Sequence, residues 1–463
     1  MNSKKKNREP EGVKQHFNRI AAEYDYWKKK NDYYYSLIKD FYRKNIPPGS
    51  SVLELGCATG QILASVEPKR GVGIDISDSL ITLAKSKYPQ YEFNVADVEE
   101  FTFSEKFDYC VMSDLIDHLH NIPRAIQSAY GALKPGGKLI ITSINPLWNP
   151  LFGLLEKMRL KMPEGPHCFI PNRFLEFFCQ MKGFKTVCKG ALIFIPKKII
   201  FIGGILNRII PKTPLLNRFC WVQTLIVSKD QKAKLDLSCS VIVAAYNEEE
   251  NIAECVERVP DIGREYEIIV INDGSKDKTP EILTALARKK HNLRVINFPE
   301  NRGKASAIEE GIRAARKEVI IILDADMSVA PEDIPLFVEP LERGIADFIN
   351  GTRLIYDMQK HAMAQVKRIA NFILAVLFSA LNQLRLTDTL CGTKAFFRKD
   401  FQDIKIRGEK WGDLVLLEHA KRKGLRIREI PIRYYTRTGG VSKMRFSDGL
   451  RFIRFTLSAA LKR

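Results

Sequence analysis

What is missing from this chain excludes several classes at once. Its nine cysteines include no C-x-x-C pair, and an odd, scattered set argues against a disulfide framework and a structural zinc site. They are expected to be reduced core thiols. No apolar run reaches the roughly 20 residues that a transmembrane helix needs, so no membrane span is expected. The basic start MNSKKKNREPEG has no apolar stretch behind it, so no secretory signal is expected and the chain is assigned to the cytoplasm. There is no internal repeat and no low-complexity tract beyond that lysine-rich start. Acid is scarce: 54 Asp and Glu stand against 73 Lys and Arg, for a net charge of +19.

What is present is a globular composition, 45% hydrophobic and 27% charged over 463 residues. At roughly 150 residues per domain that length predicts two or three domains. The basic excess gathers at the carboxyl end, where Lys421 to Arg463 hold thirteen Lys or Arg against Glu429 and Asp448. Nucleic acid, anionic lipid and phosphorylated substrates would each suit such charge. No nucleic-acid module accompanies it, so no nucleic-acid partner is expected.

Aliphatic strand-like runs alternate with helix-length amphipathic stretches twice over, the sign of α/β folds with parallel sheets. The polar stretch SKDQKAKLDLS, residues 228–238, separates the two series. This places one domain at 1–230, a linker at 231–237 and a second domain at 238–463.

In the first half, the strand SVLELG runs into CATGQ and a helix. Gly56 and Gly60 allow a sharp turn and close approach of a ligand to backbone, with a helix amino terminus behind them. Ala58 stands where the usual cofactor loop has its middle glycine, and Glu54 precedes the turn. Acids close the next two strands, Asp75 after GVGI and Asp97 after YEFNVA. At the position of Asp75 a carboxylate can hold ribose hydroxyls, as it also would in a dinucleotide enzyme.

The segments ELGCATG, GIDIS, VADVEEF and LKPGGKLIITS, in that order, resemble the class I S-adenosylmethionine-dependent methyltransferases over about residues 13–230, and FNRIAAEYD resembles the lead-in helix of the branch that methylates small molecules. The resemblance implies a Rossmann-like seven-stranded sheet with S-adenosylmethionine as cofactor. It implies Gly56 and Gly60 along the methionine and ribose, Asp75 at the ribose, Asp97 at the adenine, Glu54 in the same cofactor set, and Asp117 and His118 on the acceptor side. Methyl transfer asks mainly for alignment, because the sulfonium is already activated.

In the second half, CSVIVAAYNEEENI, YEIIVINDGSKD and VIIILDADMS are aliphatic strands that each end in polar groups, the edge at which open α/β sheets bind ligands. Asp324 and Asp326, one residue apart, can hold a divalent cation, magnesium or manganese, with a diphosphate completing the shell. Such a metal offsets charge on a departing nucleoside diphosphate.

AAYNEEENI, INDGSKDKT, ENRGKASAIEEGIRAA and LDADMS look like the inverting family-2 glycosyltransferases of GT-A fold. TDTLCGTKAFFRKD, KWGDLVLLEHAKRKGLRIREIPI and RTGGVSK are similar to the branch that makes polyprenyl-phosphate sugars. The resemblance implies a nucleoside-diphosphate sugar held by Ala245, Tyr246, Glu248, Asp273, Lys304 and Asp324, with metal on Asp324 and Asp326. It further implies Asp326 and Asp413 as catalytic acids, and Arg437, Ser442 and Lys443 facing phosphates. Asp413 also lies where an acid caps a helix. It would be the general base for a hydroxyl acceptor, whereas a lipid phosphate, already ionised, needs none.

Two stretches point to lipid. Residues 368–384 and 447–463 are expected to be amphipathic helices, the first with Asn371, Ser379 and Asn382 within about 80° of one another. Such helices can lie on an anionic membrane surface or pack on the sheet or a partner. The expected acceptor is polyprenyl phosphate, met by a peripheral protein on the cytoplasmic face.

Overall fold

The computed structural model describes residues 10–436 apart from 164, 166, 200–201, 231–232, 263, 357, 359–361 and 407–411. Arg437, Ser442, Lys443 and the helix expected over 447–463 lie outside the described residues. The chain divides into two compact units, Met1–Lys232 and Ala233–Arg463.

The first unit is built on strands β1 (Ser51–Leu55), β2 (Arg70–Asp75), β3 (Glu92–Val95), β4 (Phe107–Ser113), β5 (Leu133–Ile144), β6 (Phe184–Leu192) and β7 (Val222–Lys229). They form one sheet in the order β3-β2-β1-β4-β5-β7-β6. β1 to β5 run parallel, and β7 lies antiparallel between β5 and β6. Val52, Leu53 and Leu55 are at most 1% exposed, as expected where helices cover both faces of a parallel sheet. The order reverses beside β1, so the turns after β1 and β4 leave a crevice at the carboxyl edge.

The second unit repeats that logic with different residues. Its strands are β8 (Cys239–Ala245), β9 (Tyr266–Asn272), β10 (Leu293–Asn297), β11 (Val319–Asp324), β12 (Phe348–Thr352), β13 (Lys394–Phe397) and β14 (Ile427–Pro431). The sheet order is β10-β9-β8-β11-β13-β12-β14, with β13 antiparallel to β11 and β12. Val319 to Leu323 are all buried, so the unbroken aliphatic run is a strand covered on both faces. Each half is therefore built on one seven-stranded α/β sheet, as the alternation predicts.

The helix expected from Arg368 spans Gln365–Asn382 and buries a mixed face. Its polar residues Asn371, Ser379 and Asn382 are buried together with Leu374, Ala375 and Phe378, while Val366, Ile369, Phe372, Ile373 and Val376 are 49–64% exposed. The cause is a polar network beneath it. Asn371 donates to Asp388, which is fully buried and receives both Nε and Nη2 of Arg353 at 2.7 and 2.9 Å. Ser379 accepts the Leu386 N–H at 3.0 Å, and Lys421 donates to Asn382. Among the described residues no helix is long and apolar enough to cross a membrane.

Breaking a buried ion pair from one side strands the other charge, which costs about 3–5 kcal/mol. Asp388→Ala is expected to lower the urea unfolding free energy of the second unit by that amount. Ile369→Ser on the exposed face should change it by less than about 0.5 kcal/mol; equal effects would contradict the burial of the polar stripe.

Candidate active sites of the two units

In the first unit Gly56 and Gly60 have φ of 73° and 75°, and Ala58 between them has φ of 47°. An alanine in that left-handed region is strained by about 1–2 kcal/mol, so something must hold it. Asp75 does: Oδ2 accepts the Ala58 N–H and Oδ1 the Ser77 N–H, both at 2.9 Å. Burial nevertheless shifts the Asp75 carboxyl upward, against these bonds.

A cleft open to solvent faces this turn, and Gly56, Asp75, Asp97 and His118 line it. The sequence motifs thus converge. Gly60 instead begins the helix Gln61–Ser65. Glu54, expected at the cofactor, lies beneath the loop at 2% exposure, and its Oε2 accepts the Leu63 N–H at 2.9 Å. The expected acceptor pair is split: His118 lines the cleft with its ring edge-on to Phe17, while Asp117 is buried and accepts the Ile144 N–H at 3.3 Å.

The lead-in helix Pro10–Lys30 closes the cleft from above. Its Asn18 accepts from Ser77 Oγ at 2.6 Å, and its Asp25 accepts from Thr59 at 3.1 Å and from Gln61 at 2.9 Å. Lys28, on the cleft wall, sits 3.7 Å from the Tyr35 ring centre. Sequence reasoning gave no role to Lys28 or Asp114, which also lines the cleft. Asp114 directly follows β4 and has φ of 52°; the rule that chose Asp75 and Asp97, an acid closing a strand, would have found it. Nothing in the KKK run marks Lys28.

In the second unit three parallel strand ends lie in register, with Ala245 beside Asn272 and Asp324 beside Ala244. Asp273 is 2% exposed and accepts the Arg302 and Gly303 N–H groups at 2.7 and 2.9 Å. Gly274, at φ of 68°, admits that loop because a Cβ there would run into the backbone of Glu300 and Asn301. Tyr246 follows β8, and Asn247 and Glu248 donate their N–H groups to Ser275 Oγ and Thr279 Oγ1, each at 2.9 Å. Glu248 also accepts from Asn251 at 2.9 Å.

Lys304 opens the helix Lys304–Ala314 and places Nζ 2.5 Å from Asp324 Oδ1. Loss of hydration opposes its charge, but Asp324, Asp413 and Asp326 outweigh that and hold its pKa above the ordinary lysine value. The three acids named from sequence therefore act on one ammonium. Asp326 accepts the Ser328 N–H at 3.0 Å. Asp413 lies in the first turn of the helix Gly412–Arg422, and its buried Oδ1 has no hydrogen-bond partner among the described residues. A Cβ at Gly392, in the quoted TDTLCGTK, would run into the Asp324 carboxylate, so this glycine keeps the space that Asp324 occupies.

Asp324 and Asp326 are hard oxygen donors that would leave further positions to diphosphate oxygens and water, and this donor chemistry fits a magnesium or manganese ion. Among the described residues no three His, Cys, Asp or Glu side chains are grouped to hold a metal.

Residues 240–404 match the family model described as glycosyl transferase family 2, and residues 26–189 match one described as methyltransferase domain. The chain is 33% identical over 201 residues to an uncharacterised protein of Methanocaldococcus jannaschii, covering 42% of this chain and 79% of that one. It is 28% identical over 242 residues to the dolichyl-phosphate beta-glucosyltransferase ALG5A of Trichomonas vaginalis, covering 48% of this chain and 72% of that one. Among solved structures it is similar to a SAM-dependent methyltransferase of Thermotoga maritima, a possible histamine N-methyltransferase, at 20% identity and a TM-score of 0.39, over 47% of this chain and 100% of that one. The chain belongs to glycosyl transferase family 2 through its second half and carries a methyltransferase domain in its first. It is a transferase of both kinds.

Glu54 gives the first unit a pH signature. Burial pushes its carboxyl up to about 8 from an ordinary 4.5. Between those values the unfolded chain has released a proton that the folded chain keeps, so stability falls as pH rises from about 4.5 to 8, by at most about 1.4 kcal/mol per pH unit. Urea unfolding of the first unit at pH 5, 6.5 and 8 should show this decline, and Glu54→Gln should flatten it; an unchanged slope would remove Glu54 as its source.

Proposed function

We propose that the second unit transfers a sugar, with inversion, from a nucleoside diphosphate to a polyprenyl phosphate. We propose also that the first unit binds S-adenosylmethionine and methylates a small molecule, sugar or lipid of the same pathway. The gathering of Asp324, Asp326 and Asp413 around Lys304 at the carboxyl edge of β11 carries the sugar-transfer reading. The relative in Trichomonas vaginalis, named for dolichyl phosphate, supports the acceptor class.

Ala245, Tyr246, Glu248 and Asp273 stand where the nucleotide would lie, the last by fixing the backbone of Arg302 and Gly303. Asp324 and Asp326 would hold magnesium or manganese, which when bound supplies positive charge for the departing diphosphate. Lys304 would then donate to phosphate oxygens in place of Asp324. With a lipid phosphate as nucleophile the acceptor is already ionised, so Asp413 orients and does not need to abstract a proton; with a hydroxyl acceptor its carboxylate is the base. Arg437, Ser442 and Lys443 are proposed phosphate contacts on sequence grounds alone.

The helix Gln365–Asn382 presents Ile369, Phe372, Ile373 and Val376 to solvent. Such a face suits the headgroup layer of a membrane, where the lipid acceptor resides. The protein is accordingly proposed to be peripheral, on the cytoplasmic face. In the first unit the cleft lined by Gly56, Asp75 and Asp97 is the proposed cofactor site, with His118 toward the methyl acceptor.

Transfer of labelled sugar from GDP-mannose or UDP-glucose to polyprenyl phosphate in vesicles tests the reading. Formation of glycolipid should require magnesium or manganese and fall about a hundredfold or more in Asp326→Asn, equivalent to about 3 kcal/mol of lost charge stabilisation. Ile369→Glu with Phe372→Glu should cut transfer to the lipid while metal-dependent hydrolysis of the donor persists. Donor hydrolysis by the wild type without any glycolipid would sink the lipid acceptor and leave a hydroxyl acceptor in its place.

A further inference from the structure

The first unit has a surface that neither transferase site uses. Between Glu176 and Asp230 the sequence contains no acidic residue. Within that stretch Ile199, ahead of the helix Ile202–Ile209, and Ile202, Ile205 and Ile209 on it are 50–59% exposed, and Leu215 in the turns after it is 71% exposed. Lys197, Lys198, Arg208, Lys212 and Arg218, all exposed, are interspersed with them.

The helix is held by its polar side. Asn207 accepts the Phe194 and Ile195 N–H groups at 2.8 Å each and donates to Tyr33 Oη at 3.2 Å and to the Ile195 carbonyl at 2.9 Å. At 100° per residue Ile202, Ile205 and Ile209 fall within about 60° of one another, so they form one ridge pointing outward. A single exposed isoleucine needs no explanation, but a ridge of them within an acid-free segment does.

We propose that this segment docks the methyltransferase unit on an anionic lipid bilayer, with the isoleucine ridge in the acyl boundary and the five cations at the headgroups. The charge selects the occupant. A second copy of the chain, meeting this face about a two-fold axis, would set the same cations against one another with no acid of the segment to offset them. An anionic surface offsets all five. Docking here does not depend on the sugar-transfer reading. Lys197 donates to Asn31 at 2.8 Å, one helical turn from the cleft residue Lys28, so on the methyl-transfer reading a lipid-borne acceptor comes within reach of the cleft.

The test is hydrogen exchange of the full-length protein with vesicles of phosphatidylcholine and phosphatidylglycerol in equal parts, or of phosphatidylcholine alone. Amides of 194–219 should exchange at least tenfold more slowly with the anionic vesicles only. Ile205→Glu with Ile209→Glu, whose side chains are exposed and should leave the melting temperature unchanged, should abolish that protection. Ile369→Glu with Phe372→Glu in the second unit should preserve it, which separates this surface from the other helix. Vesicles that bind the protein without slowing 194–219 would overturn the proposal. So would protection that grows with protein concentration in the absence of lipid, which would assign the face to a second copy.

Discussion

In each unit the site depends on a buried carboxylate at a strand end that accepts two backbone N–H groups from neighbouring loops. Asp75 holds Ala58 and Ser77, and Asp273 holds Arg302 and Gly303. Buried backbone donors left unpaired would each cost about 1–3 kcal/mol, and loops at a ligand edge have no strand partner to satisfy them. The acid is therefore structural before it is functional. Its bonds fix where the glycines turn and, in the first unit, keep Ala58 in a conformation that alanine avoids.

That constraint explains which roles could be read from the residues. The order of elements was legible, because aliphatic runs such as VIIIL alternate with amphipathic stretches, and a run apolar on both faces has to be a covered strand. The convergence of Asp75 and Asp97 on one cleft, and of Asp324, Asp326 and Asp413 on Lys304, was legible from acids closing strands or opening a helix. The position of Glu54 was not: its partner Leu63 depends on how tightly the loop folds back over β1, which the motif ELGCATG does not encode. The division between Asp117 and His118 was hidden for the same reason, since adjacent residues in a short helical turn face different ways.

The helix Gln365–Asn382 shows a different limit. Its sequence reveals a polar stripe and an apolar face, and the usual expectation turns the apolar face inward. The direction is decided by Asp388, Leu386 and Lys421, which supply partners for Asn371, Ser379 and Asn382. Asp388 is charged, fully buried and committed to Arg353, so the helix above it must bring polar groups to that spot. Periodicity marks the polar stripe; the tertiary partners bury it together with Leu374, Ala375 and Phe378 and leave the opposite apolar residues exposed.

Electrostatics at β11 follows the same logic. Three acids near one point repel one another, and without a ligand Lys304 offsets part of that charge through its contact with Asp324. A divalent cation entering on Asp324 and Asp326 would repel the ammonium and free it, and a diphosphate arriving with the cation would give the ammonium a new partner. On the proposed function, cation and nucleotide sugar would therefore bind more tightly together than apart. Gly392 belongs to this arrangement, because a Cβ there would run into the Asp324 carboxylate and push it from its place beside Lys304.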